Sequence, residues 1–264
     1  MLDLDLMVFV GSVVLSVSSW SRWYRDISSV NRFGVRGRST WLLRTAPLVF
    51  LLLIFLVLEF SAAQSVRESL LYTGFYLLLG AAWLGGATLL FPFLGISARD
   101  DALERGNDGA ALAIVGALAG ITFAFAGGNI GNGPGPSAVL ISAGLSSALF
   151  FALWLALEAL CSISDAITID RSKEAAVRLA GFLAAAGLLG GWSVAGNWTS
   201  LSGTLRDFAI CLWPAVILTM IALTVEKVAK AKSTRPFGTT MSLVISASYV
   251  GVAIVWVAIQ GIHS

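Results

Sequence analysis

Long apolar stretches alternate with short polar segments along the whole chain. Helix-length apolar runs cover roughly residues 6 to 20, 43 to 60, 70 to 94, 110 to 126, 137 to 161, 175 to 194, 207 to 225 and 240 to 261. A helix needs about 20 mostly apolar residues to cross the hydrocarbon core of a bilayer. The pattern therefore predicts an all-α, polytopic transmembrane helical bundle of about eight spans, or about seven if the short first run does not cross.

Composition strengthens the membrane interpretation. Of the 264 residues, 57% are apolar and 12% are charged, which is too little polar surface to coat a soluble globule of this size. The segments between the apolar runs are also too short to fold as independent soluble domains. We therefore expect residues 1–264 to form one integral membrane domain.

The basic residues mark one end of the predicted helices. All but three of the 17 Lys and Arg residues lie in four stretches that each precede an apolar run. Loops rich in Lys and Arg stay on the cytoplasmic side of a membrane, so the pattern predicts a multi-pass membrane protein with both termini external. Arg178 lies one turn inside an apolar run, and we expect it to extend back to the lipid headgroups.

The densest basic cluster follows the first apolar run and has aromatic neighbours. Such a cluster can hold anionic lipid headgroups, or it can serve only to orient the first hairpin. Its candidate headgroup ligands are Arg22, Arg25, Arg32, Arg36 and Arg38. The formal net charge is only +2, so the composition does not favour nucleic-acid binding, and the lipid bilayer is the expected partner of these side chains.

The basic stretches recur at a constant interval. The helices that follow them start near Thr45, Ala110, Ala175 and Thr240, which are evenly spaced along the chain. Five residues of the first central copy recur unchanged 65 positions later, namely Ala110, Ala111, Gly116, Leu118 and Ala119. We therefore predict helical-hairpin repeats of about 65 residues that all run in the same direction, unlike the inverted repeats of many transporters. A central glycine-rich repeat pair at 70–198 would lie between flanking hairpins at 1–69 and 199–264.

Glycines in the central helices predict close helix packing. Gly116 and Gly120 are four residues apart on one helical face, which lets a neighbouring helix approach closely. We assign the same role to Gly80, Gly181, Gly187 and Gly191. Packing of this kind needs no bound ligand, so it favours a structural function.

Few side chains in the apolar runs can carry chemistry. Glu158 is the one carboxylate with at least a turn of apolar sequence on both sides, and it is either a functional group or an interfacial residue. The single histidine, His263, lacks the partners that a metal site or a catalytic triad needs. Hydrolase and phosphate-loop motifs are absent from the sequence. We therefore expect no enzymatic activity and no cofactor.

One glycine-rich loop, residues 126–136, is distinctive because it carries no charge. Asn129 and Asn132 lie in this loop, and Asn197 lies in the matching turn of the next repeat. Irregular backbone with exposed carbonyls can line a pore mouth or bind a ligand, although a tight hairpin connection has the same composition. Asn129, Asn132, Asn197 and Glu158 are therefore the candidate pore or ligand residues.

The first of the two central copies resembles a known family. The segment from Asn107 to Gly120 is similar to the Asn-x-x-Ala-x-Leu-Ala-x-x-Gly-x-Leu-x-Gly stretch of the YjfL-like bacterial inner-membrane proteins, known as domain of unknown function 350. The likeness covers roughly residues 70–198. In the second copy Ser172 or Lys173 stands in place of the family's Asn. The resemblance implies a compact helical fold in the inner membrane and no particular reaction.

Two hypotheses of function follow. The first is a structural or assembly subunit of a bacterial membrane complex, which binds other subunits or copies of itself through close helix contacts. The alternative is an uncoupled channel or transporter for a small ion or neutral solute. That alternative predicts a polar track from Asn129, Asn132 or Asn197 to the neighbourhood of Glu158.

Overall fold

The computed structural model describes residues 2–31, 38–231 and 237–261, which are helical almost throughout. Within these ranges, eight helical segments are long and apolar enough to cross a membrane. We label them α1 to α8, with the bounds Leu2–Asn31, Arg38–Ser61, Leu70–Thr88, Asp108–Gly127, Pro136–Cys161, Lys173–Trp192, Leu201–Ala231 and Thr239–Gln260. The predicted all-α bundle of eight spans is confirmed.

Helix α1 is longer than the sequence predicts. The apolar run ends near Trp20, but the helix continues to Asn31 and has 30 residues. Its last turns are amphipathic, because Trp23 and Ile27 are buried on one face while Arg22 is exposed on another. The apolar run underestimates the length of this helix because its last turns are apolar on one face only.

Helix α2 contains Pro47, and a side chain of α1 supplies the hydrogen bond that this proline cannot donate. Proline has no N–H, so the carbonyl of Leu43, four residues earlier, receives no helical hydrogen bond. The indole of Trp23 donates to that carbonyl oxygen, with 3.0 Å between Nε1 and O. The hydrogen bond also joins α1 to α2 at a point where Trp23 and Leu43 are both buried.

Helix α7 is broken at Leu212 into the segments Leu201–Cys211 and Trp213–Ala231. Pro214 explains the break, because its ring clashes with the carbonyl of Ile210 in a continuous helix. The first segment has no buried residue. The second segment packs against the bundle with Leu218 and Ala222.

Parallel helices form two rows, α2–α4–α6–α8 and α1–α3–α5–α7. Hydrogen bonds between residues 61 to 69 positions apart join neighbours within each row: Trp20 to Ala81, Trp83 to Ser147, Cys161 to Leu223, Arg178 to Ser242 and Trp192 to Gly261. Hydrogen bonds with a nearly constant separation along the sequence can form only if successive copies lie side by side in the same direction. The predicted repeat of parallel helical hairpins is confirmed.

The repeat is also visible where α4 and α6 begin, which we call the basic end of the bundle. Asn107 caps α4 by accepting hydrogen bonds from the N–H groups of Gly109 and Ala110. Ser172, at the equivalent position of the next copy, caps α6 by accepting from the N–H of Ala175. Serine and asparagine are both strong capping residues, so the exchange preserves the local geometry.

At the opposite end, which we call the open end, three connecting loops lie side by side. The N–H of Gly131 donates to the carbonyl of Ser61 at 3.5 Å, and the N–H of Gly196 donates to the carbonyl of Ile130 at 3.1 Å. Gly131 has a φ of 98°, a conformation that glycine adopts without strain. The loops after α2, α4 and α6 are therefore held together by their backbones.

Candidate functional site

The predicted packing glycines lie at helix contacts. A Cβ on Gly116 would overlap Ala180, and a Cβ on Gly187 would overlap the backbone of Gly120. A Cβ on Gly191 would likewise overlap the carbonyl oxygen of Phe123. Helices α4 and α6 therefore touch backbone to backbone, and both are largely buried inside the bundle.

Two further glycines extend this packing to the neighbouring helices. Gly181 of α6 faces Ser246 of α8, the next helix in its row. Gly80 of α3 faces Ile54 of α2 and Phe125 of α4. Both contacts leave no room for a Cβ without movement of the neighbour, so all six predicted glycines lie where helices approach closely.

A buried ion pair near the basic end joins three helices. Nε and one terminal nitrogen of Arg178 in α6 donate to the two carboxylate oxygens of Glu226 in α7, at 2.6 and 2.7 Å. The other terminal nitrogen donates to the hydroxyl of Ser242 in α8 at 2.9 Å. Arg178 is 5% exposed and Glu226 is 7% exposed.

This geometry corrects the prediction that Arg178 extends to the lipid headgroups. The guanidinium instead pairs with a carboxylate of the neighbouring helix α7, and a two-pronged pair of this kind is both strong and directional. The sequence analysis missed the site because Glu226 lies just beyond the apolar run of residues 207 to 225. The sequence signal for this ion pair was limited to the opposite charges of Arg178 and Glu226, which lie at similar depth in adjacent predicted helices.

Glu158 lies near the basic end and caps a short helix. Its two carboxylate oxygens accept hydrogen bonds from the backbone N–H and the hydroxyl of Ser164, at 2.9 and 2.6 Å. Ser164 belongs to the short helix Ile163–Thr168, which begins after Ser162 in a left-handed conformation. The carboxylate therefore accepts a hydrogen bond from a backbone N–H in the first turn of that helix.

The exposed arginines of the predicted headgroup cluster lie near the basic end. Arg22, Arg25 and Arg38 are exposed, and Arg32 and Arg36 lie outside the described residues. Contact of these side chains with lipid headgroups stays a prediction.

A large cavity of about 1110 Å³ opens at the open end between α3 and α5. Its walls come from the first turns of α1, α3, α5 and α7 and from the loops after α2, α4 and α6. We call it the outer pocket. Asn129, Asn132 and Asn197 all line it, and the side-chain oxygen of Asn197 accepts a hydrogen bond from the backbone N–H of Asn132 at 2.9 Å.

The outer pocket combines aromatic and acidic side chains. Five aromatic residues line it: Phe9, Tyr72, Phe75, Tyr76 and Trp198. Asp5 and Asp207 are the charged residues of its wall. The surface of the pocket is mainly apolar, so the arrangement suits a molecule with an apolar body.

Toward the basic end, packed aromatic residues follow the outer pocket. Phe125, Phe150 and Trp154 are fully buried, with 6.0 Å between the ring centroids of Phe150 and Trp154. The structure therefore brings the three asparagines together but leaves Glu158 at the other end of α5. Along α5, the buried polar residues Ser142 and Ser146 are followed by the fully buried Phe150 and Trp154 before Glu158 is reached.

Comparison with protein-family models, with curated proteins and with solved structures found no match. The resemblance of residues 70–198 to the YjfL-like proteins therefore stays a hypothesis. The eight apolar helices make the chain a multi-pass integral membrane protein.

Proposed function

We propose that the chain is a non-enzymatic structural or assembly subunit of a complex in the bacterial inner membrane, and that it self-associates through α8. One observation carries this proposal. The helix contacts of the row α2–α4–α6–α8 recur in successive copies of the repeat, and they stop at α8, where the equivalent face is uncovered.

The uncovered face is defined by the repeat itself. On α6, Arg178 and Phe182 contact α8 through Ser242 and Tyr249. The residues 65 positions after Arg178 and Phe182 are Leu243 and Ala247, and both are exposed. A helix that continues the row would pack on this face, as α8 packs on α6.

A second copy of the chain supplies a suitable helix. Two α8 helices related by a two-fold axis along the membrane normal run in the same direction, like the neighbours within each row. Closed two-fold dimers are the commonest homo-oligomers, and small residues such as Ala247 permit the close approach that drives helix association in lipid.

The dimer is tested by enlarging one small residue of the face. We expect wild-type protein in lipid nanodiscs to contain two copies, as counted by native mass spectrometry, and Ala247→Phe to contain one. Ser248→Phe is the matched control, because its side chain lies on the same helix about 100° away. Wild-type protein that is a lone monomer after mild extraction, without a partner protein, would overturn the proposal.

The orientation of the bundle belongs to the same proposal. The basic end lies in the cytoplasm and the open end lies outside, as the distribution of Lys and Arg indicates. Exposed Arg22, Arg25 and Arg38 would then contact the headgroups of the inner leaflet, where anionic lipids attract basic side chains.

A channel or transporter is the second candidate, and the meeting of Asn129, Asn132 and Asn197 at one pocket favours it. The fully buried Phe150 and Trp154 between that pocket and the basic end weigh against a continuous path. A solute would need these rings to move, whereas the subunit hypothesis needs no rearrangement. We therefore prefer the subunit hypothesis.

A further inference from the structure

We propose that the outer pocket is a binding site for an organic cation with an apolar, aromatic-sized body. The proposal concerns a site other than the α8 face, so it holds or fails independently of self-association.

The charge of the pocket selects a cation. Asp5 and Asp207 line the wall and are exposed, and neither makes an ion pair with any Lys or Arg in the described part of the chain. Among the described residues, Lys and Arg are absent from the lining. Because the described lining holds two carboxylates and no Lys or Arg, the mouth has a negative potential, which attracts cations and repels anions of the same shape.

The aromatic residues provide the second element of cation recognition. Phe9 of α1 stacks on Phe75 of α3 with 6.3 Å between ring centroids, and Phe75 meets Tyr76 edge to face at 5.1 Å. Ring faces attract cations through the aromatic quadrupole, and aromatic cages bind quaternary ammonium groups in this way. The same rings cover apolar surface of a ligand body.

Two polar groups at the inner part of the pocket are almost buried. Ser142 is 5% exposed and Asn129 is 6% exposed, and both line the cavity. The amide nitrogen of Asn129 donates to the carbonyl of Phe125, while its side-chain oxygen and the hydroxyl of Ser142 have no protein partner among the described residues. Groups of this kind lose free energy when they are left without a hydrogen bond, so they indicate that the pocket holds a ligand or water.

The size of the pocket fits this class of ligand. A volume of about 1110 Å³ is at the upper end of small-molecule sites, which are mostly apolar with a few placed polar groups. Leu70 and Leu71, both strongly exposed, also line it. An amphiphilic cation can therefore enter from the membrane surface at the open end.

The test uses two probes of the same shape and opposite charge, tetraphenylphosphonium and tetraphenylborate. Binding to the whole chain in zwitterionic nanodiscs is measured by quenching of tryptophan fluorescence, with protein-free nanodiscs correcting for partition into lipid. We expect saturable binding of the cation and none of the anion. Equal binding of both probes, or saturable binding of neither, would overturn the proposal.

Substitutions localise the site. The double variant Asp5→Asn and Asp207→Asn should weaken tetraphenylphosphonium binding about tenfold or more, because it removes both attracting charges. Asp170→Asn near the basic end is the control and should bind like wild type. Circular dichroism of each variant verifies folding. Unchanged binding in a folded double variant would place the cation elsewhere and reject the outer pocket.

Discussion

Replacing Glu226 by Leu should destabilise the folded protein by about 3–5 kcal/mol, the usual cost of leaving one member of a buried ion pair alone. The guanidinium of Arg178 would keep its hydrogen bond to Ser242 but would lose both carboxylate oxygens. Since α6, α7 and α8 meet at this pair, the loss should loosen all three helices. The free energy of unfolding in mixed detergent micelles measures the effect.

The double variant Arg178→Met and Glu226→Leu is the control for this experiment. It removes both charges and keeps the volume apolar, a change that is often neutral or stabilising in buried pairs. We expect its unfolding free energy to return close to that of wild type. A Glu226→Leu variant as stable as wild type would mean that the pair is not buried in the membrane-bound protein.

Replacing Gly187 by Ala should destabilise the protein by about 3 kcal/mol, at the upper end of the usual cost of overpacking. The added Cβ would overlap only backbone atoms of Gly120, and backbone cannot rotate away as a long side chain does. Helices α4 and α6 must therefore separate along their contact. The unfolding free energy and the yield of monodisperse protein both report this separation.

Gly144→Ala gives the matched control, because no heavy atom lies within 4 Å of a Cβ at that position of α5. Its effect should lie between neutral and a stabilisation of about 1 kcal/mol, because alanine favours a helix over glycine. If both alanine variants lose the same stability, the close contact of α4 with α6 at Gly187 is refuted.

The global architecture was predictable because it depends on local composition. Apolar runs of span length and evenly spaced basic stretches are read directly from the chain, and they predicted eight spans and the parallel repeat. The length of α1 was not predictable in this way, because Trp23 and Ile27 pack on one face only while Arg22 makes the same stretch polar.

Contacts between side chains of different helices were harder to predict from the sequence. Arg178 and Glu226 are 48 residues apart, a separation outside the repeat, so their contact depends on how α6 and α7 pack. Glu158 became a helix cap because Ser162 adopts a left-handed conformation that composition does not specify. In contrast, the meeting of Asn132 with Asn197 follows the repeat, since these residues are 65 positions apart.

The outer pocket was hidden from the sequence for a related reason. Asp5, Tyr76 and Asp207 come from three distant parts of the chain, and no local pattern connects them. They meet at the open end, where the outer pocket lies beside the first turns of α3 and α5 and the three hydrogen-bonded loops.

Cysteine accessibility tests the central claim, a stack of parallel hairpins whose basic loops share one side of the membrane. Single cysteines replace Ser28, Asp170 and Ser202 in a chain that also carries Cys161→Ala and Cys211→Ala. We predict that a membrane-impermeant maleimide labels the cysteine at position 202 in intact cells, and labels those at 28 and 170 only after permeabilisation. Labelling of positions 28 and 170 from opposite sides would contradict the parallel stack, and the reverse of the predicted pattern would contradict its orientation.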